Sequence, residues 1–289
     1  MGRPLKQARF RLLALDIDGT LLTSEKGLSP RTRAAVGAAR AAGVRLVLVT
    51  GRRYPSARRV AEDLGGEIPL VLHNGALVIE RGTVIRCRPL RREAALQAVR
   101  VGHDHGATPV VHCGLAGEGQ LLVQSSARGS TLVAYYLDRS SPDVSMVQDL
   151  AAALPEAPIQ VMFGGPQGEM DALLPGLEAV LGDEATVVRT VYPQTGVGLL
   201  DVIQGSVGKG EALAFLQERW GLRAEETLAI GDNWNDHEML EQAGLGLVMG
   251  NADPELRRIG LPVLPTNDED GVAVAIETHI LSGAGAASS

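Results

Sequence analysis

Short, almost uninterrupted apolar runs recur along the chain, and each leaves into a polar or glycine-bearing turn. The first is Arg11-Leu-Leu-Ala-Leu-Asp-Ile-Asp18, followed by Gly19-Thr20; Val44–Val49 exits into Thr50-Gly51-Arg52, and Ile68–Leu72 into Asn74-Gly75. Runs too short for helices and apolar at consecutive positions predict strands buried on both faces. Between them Ser29-Pro30 supplies an N-cap and a first-turn proline, and Gly43 a stop, so a helix is predicted over 30–42; a second is predicted over 55–64. Strands alternating with helices predict a parallel sheet covered on both sides. Ligands of such sheets bind beyond the carboxyl ends of the strands.

From about residue 77 the rhythm changes. Leu77–Ile79 and Thr83–Ile85 flank Glu80-Arg81-Gly82, a hairpin signal. Helices are then predicted near 91–104, 130–138 and 169–181, with strands near 108–112, 120–124, 159–163 and 186–191. The alternating pattern resumes with a helix over 209–220, strands at Thr227–Ile230, Gly246–Met249 and Pro262–Leu264, and helices near 236–243, from Pro254 and from Gly271. The expected organisation is an α/β core of 1–76 and 205–281, an inserted α+β unit of 77–204, and a small polar tail, 282–289, expected to be disordered.

Composition narrows the partners. The 289 residues hold 27 Lys+Arg against 34 Asp+Glu, a formal charge of −7, with 45% hydrophobic residues and 3% aromatic ones. This balance excludes a disordered chain, and no apolar run approaches the roughly 20 residues that span a bilayer. A negative surface with nine aromatics argues against nucleic acid and anionic lipid as partners. Two cysteines, Cys87 and Cys113, cannot build a disulfide framework, so a reducing, cytoplasmic setting is expected, as a monomer or homodimer. Only Lys6, Lys26 and Lys209 are lysines. Each position where lysine replaces the usual arginine therefore invites a reason.

The candidate chemistry is acidic. Asp16 and Asp18 stand two apart at a strand end, where the pleat period directs both to one side. Paired hard carboxylates suit Mg²⁺, which commonly partners phosphate. A calcium loop of EF-hand type fails, because Thr20 and Leu21 stand where that pattern needs an acid and a glycine. A second acidic cluster, Gly231-Asp232-Asn-Trp-Asn235-Asp236, also follows a predicted strand. Thr50 offers a hydroxyl, and Gly51 an N–H without a side chain in the way. Lys209, between two glycines at a helix start, opposes the helix dipole and so calls for an anionic partner. A Walker A loop is excluded by its spacing and by the missing Ser/Thr after the lysine. His103, His105 and His112 match no defensible metal-ligand spacing.

Taken together, Asp16-Ile-Asp18-Gly-Thr20-Leu-Leu, Thr50-Gly-Arg, Lys209 and Gly231-Asp232-Asn-Trp-Asn-Asp236 resemble the four motifs of the haloacid dehalogenase superfamily, and the likeness is close to its Cof-type (subfamily IIB) sugar-phosphate phosphatases. Asn74-Gly-Ala, Met249–Leu256 and Asn267–Ala273 add to it. The resemblance implies a Rossmann-like parallel sheet core with an inserted cap. It implies a nucleophile, Asp16, an acid/base, Asp18, and Mg²⁺ held by Asp16, the Asp18 carbonyl and Asp232. It further implies phosphate contacts from Ile17, Thr50, Gly51, Lys209 and Asn235, with Asp236 in support. The implied partner is a small phosphorylated metabolite. A phosphohexomutase of the same superfamily and an inactive metabolite-binding regulator remain open at this point.

Overall fold

A computed structural model describes residues 10–114, 121–129, 132–134, 143–192 and 195–282. The helix expected over 130–138 falls largely outside the described residues, as does the tail beyond Ser282. The strands are β1 (Leu12–Leu15), β2 (Arg45–Val49), β3 (Leu70–Leu72), β4 (Leu77–Glu80), β5 (Thr83–Cys87), β6 (Val110–His112), β7 (Leu121–Gln124), β8 (Val144–Val147), β9 (Gln160–Pro166), β10 (Ala185–Tyr192), β11 (Val197–Gln204), β12 (Thr227–Gly231) and β13 (Leu245–Val248). A seven-stranded sheet has the order β13-β12-β1-β2-β3-β4-β5, and a six-stranded one the order β10-β11-β9-β6-β7-β8.

The chain divides into two compact units, 1–50 with 57–70 and 209–289, and 51–56 with 71–208. In the first, β1 pairs in parallel with β12 and with β2, Leu15 lying opposite Ile230 and Leu48. Every residue of β1 is buried, as a strand covered on both faces requires. Helix Pro30–Ala41 starts where the Ser29 side chain accepts from the Thr32 N–H at 3.0 Å. It packs along the last helix, Gly271–Ile276. The expected strand Pro262–Leu264 is not one: Val263 makes only an isolated bridge to Val248. Flanking prolines at 262 and 265 withhold two of the donors that a ladder needs.

In the second unit, β11 lies between β10 and β9 and is antiparallel to both, β6 pairs antiparallel with β9 and β7, and β7 pairs in parallel with β8. Helices Arg92–Asp104 and Gln167–Leu181 cover a core that includes Leu90, Phe163, Leu173, Leu177 and Leu200. The β4–β5 hairpin turns through Arg81 and Gly82, both at positive φ, the backbone that suits a two-residue turn. Residues 51–56 and 71–76, expected with the core, group with this unit. A local reason is close packing: a side-chain carbon on Gly51 would lie 3.1 Å from Asn74 Oδ1.

Candidate active site

The parallel register decides which side chains meet. Leu15 pairs with Ile230 and Leu48 pairs with Leu15, so Asp16, Thr50 and Asp232 emerge at the carboxyl ends of three neighbouring strands. Asp16 remains tied to the ladder through its N–H, 3.1 Å from the Ile230 carbonyl. All three are buried, at 5%, 2% and 8% exposure. Groups buried this far from water need partners inside the protein.

Lys209 is the principal partner. It begins helix Lys209–Trp220, is 2% exposed, and places Nζ 2.6 Å from both Asp16 Oδ1 and Asp236 Oδ1. Asp236, fully buried, also accepts from the Asp232 and Asn233 N–H groups, each 3.0 Å from Oδ2. One carboxylate thus fixes both the lysine and the Asp232 loop. Asp232 Oδ1 accepts from the Thr20 hydroxyl at 2.7 Å. Gly19, at φ +81°, passes so close that an added Cβ would lie 2.2 Å from Asp232 Oδ2, which bars any side chain there.

Carboxylate oxygens of Asp16, Asp232 and Asp236 lie within 4.8 Å of one another. One ammonium among three carboxylates leaves a buried excess of negative charge. Burial pushes the Asp16 carboxyl up to about 7 even though Lys209 pulls the other way. Burial also holds Asp232 well above the usual range, reinforced by Asp16 and Asp236. For Lys209 burial would lower the ammonium, yet the two carboxylates outweigh it and the group is raised. A divalent cation fits this donor set: it is oxygen-only, hard and short of positive charge.

The remaining expected residues are placed as follows. Asp18 is outside the three-acid group, and its Oδ1 accepts from Lys26 Nζ at 3.1 Å. The Ile17 carbonyl accepts from the Leu21 and Leu22 N–H groups. Asn235 lies in the single turn Trp234–Asp236 after Asp232, and Gly51 belongs to the second unit. His103, His105 and His112 do not converge on a metal site: among the described residues the one group of three potential ligands is Asp16, Asp232 and Asp236. His105 Nδ1 lies 2.9 Å from the Val101 carbonyl, and His112 is buried edge-on to His73.

Sequence reasoning passed over Thr20, Lys26 and Asn251, whose Nδ2 donates to the Gly19 carbonyl at 2.7 Å. Two of them left a trace, Thr20 inside the first motif and Lys26 as one of three lysines. Asn251 had only its place in a secondary motif.

The family model described as haloacid dehalogenase-like hydrolase matches residues 13–276. Pyridoxal phosphate phosphatase YbhA of Escherichia coli is 29% identical over 276 residues, covering 94% of this chain and 99% of its own. The HMP-PP phosphatase of Serratia proteamaculans is 30% identical over 256 residues, covering 88% and 89%. A haloacid dehalogenase-like hydrolase from Bacteroides thetaiotaomicron superimposes with a TM-score of 0.77 at 26% identity, over 93% of this chain and 98% of that one. The chain belongs to the haloacid dehalogenase-like hydrolases, in their Cof-type branch of phosphatases.

Proposed function

We propose that this phosphatase hydrolyses small phosphate monoesters, sugar phosphates among them, by a Mg²⁺-dependent route through an aspartyl phosphate on Asp16. The observation that carries the reading is the buried trio of Asp16, Asp232 and Asp236, two of which, Asp16 and Asp236, share the ammonium of Lys209. Asp16, Asp232 and the Asp18 carbonyl would hold Mg²⁺, which when bound neutralises charge on the acids and the phosphate. In the first step an Asp16 oxygen bonds to phosphorus while the ester P–O bond breaks, and Asp18 gives its proton to the departing alcohol. In the second, Asp18 takes a proton from water, whose oxygen bonds to phosphorus as the Asp16–phosphorus bond breaks. Lys209 keeps Asp16 oriented, and Thr50, Gly51, Asn235 and the Ile17 N–H are assigned to the phosphoryl oxygens. Asp236 serves by fixing Lys209. Selection among leaving groups is assigned in part to the insert 77–204.

The names of the relatives widen the panel that tests this, because YbhA is named for pyridoxal phosphate and the Serratia protein for HMP-PP. Purified protein should release inorganic phosphate from at least one sugar or heterocyclic monoester, lose that activity in EDTA, and regain it with Mg²⁺. Asp16→Asn should lower turnover by about 10³-fold or more, the scale of losing a covalent nucleophile. Full turnover by that variant would sink the nucleophile assignment. An isomerised sugar phosphate in place of free phosphate would identify a mutase, and saturable binding without any turnover a regulator.

A further inference from the structure

The chain is poor in aromatics, nine in 289 residues, yet it leaves a tryptophan partly in water within the loop that carries Asp232 and Asp236. Trp234 is 40% exposed, two residues after Asp232 and one before Asn235. The turn that carries it is made without the indole: the Asn233 side chain caps it, and Asp236 Oδ2 clamps the Asp232 and Asn233 N–H groups. An indole left 40% exposed forgoes part of the gain from burial, so its presence here invites another reason. One face of the ring is backed. The His237 imidazole stacks on it at 4.7 Å between centroids and 11° between planes, and His237 Nε2 lies 3.1 Å from Glu241 Oε1.

An aromatic surface with one face backed by imidazole is half of a stack, and a backed ring receives a second planar ring at smaller entropic cost than a free one. We propose that Trp234, backed by His237, recognises the ring of the substrate, so that the preferred class is phosphate monoesters of compact, flat, aromatic alcohols. The proposal rests on the phosphatase reading and narrows it. In this proposal the ring lies within a few bonds of the phosphorus.

The test compares kcat/KM of wild type, Trp234→Ala and Trp234→Phe on two ring substrates, 1-naphthyl phosphate and phenyl phosphate, and on glucose 6-phosphate. Trp234→Ala should lose about tenfold or more on the ring substrates, mainly in KM, with a change of only about twofold on glucose 6-phosphate, and Trp234→Phe should restore most of the loss. Equal losses on both classes, or none on either, would overturn the assignment. Where wild type hydrolyses no monoester, the phosphatase reading fails while equilibrium binding still decides the ring site. 1-Naphthyl phosphate should then bind wild type about tenfold more tightly than Trp234→Ala, and equal affinities would refute it.

Discussion

Single residues at the site are set by what they must not leave unpaired. Thr20 illustrates this: its hydroxyl, 1% exposed, donates to Asp232 Oδ1, holding that carboxylate in one orientation. Partners behind a metal-binding group commonly contribute 10–100-fold in metal affinity. On the proposed Mg²⁺ reading, Thr20→Val, which keeps the shape and removes the donor, should raise the Mg²⁺ concentration for half-maximal activity by about tenfold with kcat at saturating Mg²⁺ changed far less. Titrating activity against Mg²⁺ checks it, and an unchanged midpoint would remove Thr20 from the site. At this scale much was legible beforehand. Asp16, Asp232, Asp236 and Lys209 were readable because charged residues beside glycines at strand ends are chemically conspicuous. Thr20 and Asn251 were not, because a neutral donor acquires meaning only from the acceptor that the fold brings to it.

Among the elements, β2, β12 and β13 were readable to within one residue, since buried parallel strands are written as unbroken apolar runs. β11 went unpredicted, and it carries Gly198 and Asp201. The acid looks like an interruption until the Asn74 and Gln160 amides are seen donating to it, at 2.9 and 3.1 Å. The same buried polar layer holds His73 and His112, with ring centroids 5.3 Å apart. Burial above all lowers His73 to about 4; contact with Gln160 opposes this, and the nearby Arg53 charge adds to it. Burial lowers His112 as well, with His73 and Arg53 contributing. Above pH 6.5 the folded and unfolded chains both hold His73 neutral. Below it the unfolded chain takes up a proton that the folded chain refuses until about pH 4, so stability falls by up to about 1.4 kcal/mol per pH unit across that window. His73→Asn, which tolerates the positive φ of 51°, should flatten this slope relative to wild type in denaturant unfolding followed from pH 7 to pH 4. Parallel slopes for the two proteins would show that His73 titrates normally.

For the molecule as a whole, the change of rhythm near residue 77 announced two units, because alternating strand–helix repeats and antiparallel pairs leave different hydrophobic periods. The assignment of 51–56 and 71–76 to the second unit was not legible, as it depends on contacts such as Gly51 against Asn74. No helix among the described residues is long and apolar enough to cross a membrane. Charge was the most informative whole-chain quantity, since an arginine-rich protein with three lysines turns each amine into a separate reporter. The Lys26 side chain is 59% exposed and that of Lys209 2%. Acylating reagents attack the neutral amine, and Lys209 is both enclosed and held protonated by Asp16 and Asp236. Peptide mass spectrometry after brief acetylation should find Lys26 modified and Lys209 intact, and equal labelling would contradict the enclosed pair. The slow appearance of label on Lys209 would then act as a clock, timing how often the buried pocket of Asp16, Lys209 and Asp236 opens to solvent.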